Sequence, residues 1–379
     1  MAPGPTEVPP DVLQAQAREI TYHRGPRYGA LLGGCRDALK RVLFTRGDVL
    51  LFTGSGTLGM ESAIVNTCSP GDRVLICDTG NFGERFRKIA AVHGVDATVI
   101  TYEWGRNAKP EDVADALASD PSIKAVFAQH SETSTGIVND VEAIGAVVKD
   151  TPALFVVDAI SGVGAAPLRV DDWGIDVCVG GSQKALMAPP GLCFVSVSEA
   201  AWTANADATC PRFYTDWATA KKSMDADPPE NPYTPAVTLV AALSKALELL
   251  EQEGMDAVWK RHEVLSRACR EGVKAIGLDI FTEEADRAVV LTAVVAPEEL
   301  DAGTIAEYIR RVHGIVLAPG QGKLKGKVFR IGHCGYYAPV DIIKVLSVLE
   351  SSLAALGYPV KAGAAVEAAT TVFREEGVA

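Results

Sequence analysis

Between about residue 50 and residue 198 the chain alternates short apolar runs with amphipathic stretches, and this alternation limits its possible folds more than any other feature. The apolar runs fall at 49–53, 73–77, 98–101, 124–129, 154–158, 176–179 and 192–197. Each is too short for a buried helix, and most are rich in Val, Ile, Leu and Phe, so they read as strands covered on both sides. Strands that alternate with helices predict a mainly parallel, doubly wound sheet, in which ligands bind outside the carboxyl ends of the strands. The loops at those ends are Gly54-Ser-Gly-Thr57, His130-Ser-Glu-Thr-Ser-Thr-Gly136, the turn after Asp158, and the segment around Lys184.

Beyond Trp202 the pattern becomes irregular, and the proline-rich stretch 225–235 predicts an extended loop. Long helices are expected at 236–253 and 256–274, separated by Gly254. The remainder reads as a smaller α+β domain with strands at 289–295, 315–318 and 328–332 and helices at 304–313 and 340–355. The expected division is an N-terminal arm at 1–14, a large domain at 15–253 and a small C-terminal domain at 254–379. A length of 379 residues suits two packed domains.

The chain carries a formal net charge of −12, which disfavours nucleic acid and anionic membranes as partners. Any anionic ligand must then be held by local positive groups. The 8 cysteines include no Cys-x-x-Cys pair, and several lie in apolar runs. They read as buried free thiols in a reducing compartment. No histidine or cysteine spacing suggests a metal site. The opening residues lack the basic and apolar regions of a signal peptide, and no apolar run is long enough to cross a bilayer, so a cytoplasmic location is expected.

Asp158 ends an otherwise apolar strand, where an acid is costly unless it has a partner. Lys184 follows the next strand in Gly180-Gly-Ser-Gln-Lys-Ala-Leu-Met-Ala-Pro-Pro-Gly191, a segment of small and loop-forming residues, and is expected to be exposed at the strand end. An acid and a lysine at neighbouring strand ends are what a pyridoxal 5'-phosphate (PLP) enzyme needs, one against the pyridinium nitrogen and one as the Schiff base. Arg330, set within Val328-Phe-Arg-Ile-Gly332, is unusual in an apolar strand without a partner. Gly54-Ser-Gly-Thr-Leu-Gly59 with Asp78 also fits a nicotinamide dinucleotide fingerprint, so an NAD-dependent dehydrogenase is the rival of another class. That rival gives no role to Asp158, Lys184 or Arg330.

Taken with Pro3-Gly-Pro-Thr-Glu-Val-Pro-Pro10, Ser134-Thr-Gly136, Ser182-Gln-Lys-Ala-Leu186 and Tyr233-Thr-Pro235, these segments resemble the class V, fold-type I PLP aminotransferases, in particular the alanine–glyoxylate and serine–pyruvate group. The resemblance implies a large PLP-binding domain and ping-pong transamination. Alanine or serine would be the donor and glyoxylate or pyruvate the acceptor, in a homodimer with shared active sites. It makes Lys184 and Asp158 the catalytic pair. Ser55, Gly56, Thr57 and Gln183 become phosphate ligands, Phe82 a residue stacked on the cofactor ring, and Thr133 a hydrogen-bonding partner of the cofactor. Tyr233 and Thr234 would reach the partner subunit's site, while Arg330, with Gly4, would bind the substrate. Thr57 and Phe82 stand where other members carry histidine and tryptophan, which leaves the substrate open. A cysteine desulfurase-like or other class V PLP enzyme is the alternative within the chemistry, although Gln183-Lys184 differs from the His-Lys pair of desulfurases.

Overall fold

A computed structural model describes residues 1–378; Ala379, the end of the expected C-terminal domain, lies outside the described residues. The strands in chain order are β1 Asp48–Thr53, β2 Arg73–Asp78, β3 Asp96–Thr101, β4 Ile123–Gln129, β5 Ser131–Glu132, β6 Ile137–Val138, β7 Leu154–Asp158, β8 Val177–Gly181, β9 Leu192–Val197, β10 Leu291–Val295, β11 Ala318–Pro319 and β12 Val328–Gly332. Seven of them form one sheet in the order β1-β9-β8-β7-β4-β2-β3. Only β9 runs against its neighbours, pairing antiparallel with both β1 and β8. The other pairings are parallel, as expected for a mainly parallel sheet.

Residues in β7, β8 and β9 are buried throughout, whereas edge strand β3 alternates and leaves Asp96, Thr98 and Thr101 to solvent. Central strands lose both faces to packing and therefore carry continuous apolar runs; an edge strand tolerates polar side chains. The Gly56–Thr67 helix packs on β8 and β9, and the Val141–Val148 helix on β4 and β7. Close approach of the first helix depends on Gly59, since a Cβ there would stand 2.6 Å from Val179 Cγ1.

A second sheet, in the order β10-β12-β11, is antiparallel and packs with the Met255–Ala275, Ala302–His313, Pro339–Ala355 and Ala364–Glu375 helices around a separate apolar cluster that includes Ile305, Phe329, Leu346 and Phe373. Several expectations need correction here. The region after Trp202 is not wholly irregular, because helices cover Glu199–Asp207 and Trp217–Met224. The strand expected at 315–318 is reduced to Ala318–Pro319, where proline ends the ladder. The Ala364–Glu375 helix was not anticipated.

The amino-terminal residues run across the strand ends of both sheets. Gly332 donates its N–H to the Met1 carbonyl at 2.9 Å, and Thr6 donates its N–H to the Gln183 carbonyl at 3.1 Å. The arm thus ties the central strand of the small sheet to the Lys184 loop.

Candidate active site

Register brings Asp158 level with Gln129 of β4 and Val179 of β8, so the ends of three parallel strands share one edge. The segment after β8 is fixed by its own hydrogen bonds. Met187 N–H donates to the Lys184 carbonyl at 2.9 Å, and Ser182 Oγ donates to the Pro189 carbonyl at 2.7 Å. Met187 adopts a left-handed φ of 57° to complete this turn, and Thr6 Oγ1 donates to the Lys184 carbonyl at 2.8 Å. Lys184 therefore leaves a rigid backbone.

Lys184 is not exposed as the sequence suggested. It is largely covered, and Nζ donates to the Pro3 carbonyl at 3.1 Å. Gly4, at φ 146°, lies directly over it, and a Cβ at that position would collide with the lysine stem. Burial lowers the Lys184 pKa, aided by Arg330 and opposed by Cys334 and Asp158. A lysine so placed sheds its proton more easily and is a better nucleophile and base.

Asp158 is buried at the adjacent strand end. Burial pushes its carboxyl up to about 7, with Glu132 adding to the effect and the Ile160 N–H, Arg85 and Lys184 opposing it. Its Oδ1 accepts from Ile160 N–H at 2.9 Å, and among the described residues Oδ2 accepts no hydrogen bond. Nearby, among the described residues, Gln183 Oε1 is buried without a partner. A carboxylate oxygen left in this state, as at Asp158, suits a ligand that brings its own donor.

The Gly56–Thr67 helix opens at the same edge after Ser55, whose side chain makes no capping bond. Leu58 N–H donates to the Ser55 carbonyl at 2.9 Å, which leaves the N–H groups of Gly56 and Thr57 available to an anion. Gly56 is buried against Ile160, and a Cβ there would clash with that side chain. Thr57 Oγ1 accepts from Arg85 Nη1 at 3.0 Å, and the Arg85 guanidinium lies 4.6 Å from the centre of the Phe82 ring.

Glu132 in β5 is fully buried, and four donors converge on it. Phe82 and Gly83 N–H donate to Oε2 at 2.8 and 3.3 Å, while Ser134 N–H and Oγ donate to Oε1 at 3.0 and 2.5 Å. Its carboxylate thus caps the Asn81–Val92 helix and joins the Phe82 turn to the Thr133 loop. Glu132 and Arg85 are not among the site residues that the sequence singles out. Glu132 carried the signal that singled out Asp158, an acid just after an apolar strand, whereas Arg85 needed the three-dimensional approach to Thr57.

Arg330, in the middle of β12, is buried. Its Nη1 donates to the Thr133 carbonyl at 2.7 Å and its Nη2 to the Pro319 carbonyl at 2.9 Å, while Nε is buried with no partner among the described residues. Burial lowers its pKa to about 10, and Glu132 opposes the shift. The guanidinium keeps unused N–H donors at a dry site, as a carboxylate-binding fork requires.

Tyr233 and Thr234 stand apart from this group. Tyr233 donates its hydroxyl to the Phe213 carbonyl at 3.3 Å and stacks on Tyr214 with ring centres 5.3 Å apart, and Thr234 is exposed. Their loop is pinned to the end of β1, where Ala236 N–H donates to Thr53 Oγ1 at 3.0 Å. Among the described residues neither hydrogen-bonds Lys184, Asp158, Gln183 or Thr57.

This arrangement, a buried lysine and acid at neighbouring strand ends with an anion-ready helix start beside them, defines a class of cofactor-dependent α/β enzyme. A profile of the family described as Aminotransferase class-V matches residues 2–325, and the chain belongs to that family. Its relatives include an aminotransferase of Methanocaldococcus jannaschii described as uncharacterized, 42% identical over 99% of this chain and 97% of that protein. A serine–glyoxylate aminotransferase of Methylorubrum extorquens is 35% identical over 100% of this chain and 96% of its own length. The crystal structure of a ureidoglycine–glyoxylate aminotransferase from Bacillus subtilis superposes with a TM-score of 0.95 at 30% identity, covering 99% of this chain and 97% of that one.

The protein is a fold-type I, PLP-dependent aminotransferase. The dehydrogenase suggested by Gly54-Ser-Gly-Thr-Leu-Gly59 is set aside, the glycine-rich turn belonging instead to the aminotransferase fold. No helix among the described residues is long and apolar enough to cross a membrane.

Proposed function

We propose that Lys184 and Asp158 form the catalytic pair of a transaminase whose donor is serine or alanine and whose acceptor is glyoxylate or pyruvate. The observation that carries this reading is the under-satisfied pair itself: a lysine with lowered pKa next to a buried acid that has one hydrogen bond. PLP, when bound, supplies an electron-accepting ring that spreads the negative charge formed at the substrate Cα. Asp158 holds the proton on the pyridine nitrogen by offering its unpartnered Oδ2. Lys184 holds the cofactor and then moves the Cα proton as base and acid at Nζ. Ser55, Gly56, Thr57 and Gln183 hold the phosphate, Phe82 covers the ring, and Thr133 orients it from the loop that Glu132 braces.

Arg330 takes the substrate carboxylate with its unused N–H donors, and Gly4 closes the site from the arm. Thr234 and Tyr233, seated at the end of β1 away from Lys184, serve the site of a second copy in a homodimer. Mixing inactive Lys184→Ala subunits with impaired Thr234→Ala subunits should restore part of the activity, because one site of each mixed dimer is whole; verified exchange without recovery would return the loop to its own subunit. The proposed domain division remains an arm at 1–14 and domains at 15–253 and 254–379. Eight free, buried cysteines support a reducing, cytoplasmic setting.

The test is borohydride fixation followed by peptide mapping. A pyridoxyl group on Lys184 is expected, and fixation on another lysine would overturn the assignment. Mixing the loaded protein with single amino acids and following loss of the cofactor absorbance then identifies the donor, with serine and alanine expected to react fastest.

A further inference from the structure

PLP carries a phosphate that is close to doubly charged at neutral pH. A helix start supplies only about half a positive charge, and Ser55, Thr57 and Gln183 are neutral. In a chain of net charge −12 the cup would therefore be short of positive charge. Lys184 is committed to holding the cofactor, and Arg330 is held by the carbonyls of Thr133 and Pro319 on the substrate side.

Arg85 has the right position and no other evident use. Its neighbours on the Asn81–Val92 helix show what solvated cations do there, since Arg87 and Lys88 both pair with Glu84, at 3.3 and 3.0 Å. Among the described residues Arg85 forms no ion pair. It turns inward, half-buried, donates Nη1 to Thr57 Oγ1 at 3.0 Å and rests on the Phe82 ring. Its charge is felt at both Asp158 and Lys184. A hydroxyl that accepts from a guanidinium still has its own hydrogen to give.

We propose that Arg85 is the cationic positioning residue of the phosphate cup, acting through Thr57: the guanidinium fixes and polarises the Thr57 hydroxyl so that its hydrogen points at the phosphate of PLP. This rests on the PLP reading above and deepens it. A structural role for Arg85, as a support under Phe82, would act on the ring of the cofactor and not on its phosphate.

The experiment separates the two by comparing PLP with pyridoxal, which keeps the ring and aldehyde but lacks the phosphate. Full-length wild-type and Arg85→Gln chains, freed of cofactor, are titrated with each, following the absorbance of the Lys184-bound form. Arg85→Gln should weaken PLP by about 30-fold, the size of one lost charge-assisted contact, and pyridoxal by less than about 3-fold. Arg85→Lys should recover part of the loss. Thr57→Val should reproduce it, and the double variant should lose little more, because both changes break the same link. Equal weakening of PLP and pyridoxal, no weakening at all, or fully additive losses would each overturn the inference. If wild type takes up no PLP at Lys184, the cofactor reading fails and this inference with it; if wild type binds normally and Arg85→Gln does too, only the role of Arg85 fails.

Discussion

Strand β5 and the end of β7 each bury a carboxylate at the same sheet edge, yet they treat it in opposite ways. Glu132 is enclosed by four donors and joins two segments of backbone, whereas Asp158 receives one N–H and, among the described residues, leaves an oxygen without a partner. Both are raised by burial. The difference lies in what remains to be satisfied: a saturated acid is framework, and an unsaturated one waits for a ligand's proton. Arg330 follows the second pattern, with an Nε that is orphaned among the described residues, and variants at these positions test whether this distinction separates chemistry from architecture.

The largest effect is expected at Lys184. Lys184→Ala removes the group proposed to hold the cofactor and move the proton, and positioned acid–base catalysis alone contributes about 10²–10⁴-fold. Turnover should fall by at least about 10⁴-fold while the fold persists, since Nζ donates only to the Pro3 carbonyl. Single-turnover kinetics with a normal circular dichroism spectrum checks this. Retained turnover would break the comparison at its start.

Next comes Arg330→Ala. Truncating one side of a buried charge-assisted pair costs about 2–5 kcal/mol, or about 30- to 5,000-fold in kcat/KM for amino and keto acids. Lysine there should recover only part, because a point charge lacks the fork. A simple amine without a carboxylate should react slowly and almost equally with both proteins. If the amine and the amino acid lose equally, Arg330 supports the fold through Thr133 and Pro319 and does not hold substrate.

Glu132→Ala should act on stability. It leaves three N–H groups and a hydroxyl without their acceptor, each worth about 1–3 kcal/mol if left dry, although water entering the space will recover some. Thermal or urea unfolding of the unloaded chain should show a loss of several kcal/mol. A variant as stable as wild type would mean that Glu132 is not the brace of this edge.

How much of this was legible in the sequence follows from the range of the signals. The seven strands of the large sheet showed in apolar runs that are local in sequence, and Asp158, Lys184 and Arg330 stood out as charges set in apolar or small-residue surroundings. The order of the strands and the reversal of β9 did not show, because burial on both faces looks the same in either direction. The β5–β6 hairpin was too short to leave a pattern. Pro3 and Gly4 covering Lys184 depend on residues about 180 positions apart in sequence, as the spacing of the Lys184–Pro3 bond records. The approach of Arg85 to Thr57, 28 positions upstream, was likewise invisible, because it depends on the turn of the Asn81–Val92 helix.

The smallest effect is the one that sharpens the contrast most, because its sign should differ between the two acids. Asp158 has a folded pKa near 7 against an ordinary 3.8, so between about pH 4 and 7 the folded chain keeps a proton that the unfolded chain gives up. Stability must then fall as pH rises through that window, and the penalty is complete above pH 7. At about 1.4 kcal/mol for each pH unit of difference, the upper limit is about 4 kcal/mol. Asparagine keeps the shape and cannot ionise, so unloaded Asp158→Asn should melt a few degrees above wild type at pH 8 and together with it near pH 4. Loading with PLP should shrink or reverse the gap, since a protonated ring nitrogen gives the carboxylate the partner it lacks. Glu132→Gln should do the opposite at pH 8, lowering the melting temperature, because one end of the amide would turn N–H groups toward the N–H donors that now converge on a carboxylate. Two variants shifting in the same direction would mean that the count of hydrogen bonds around a buried acid does not tell its purpose in this fold.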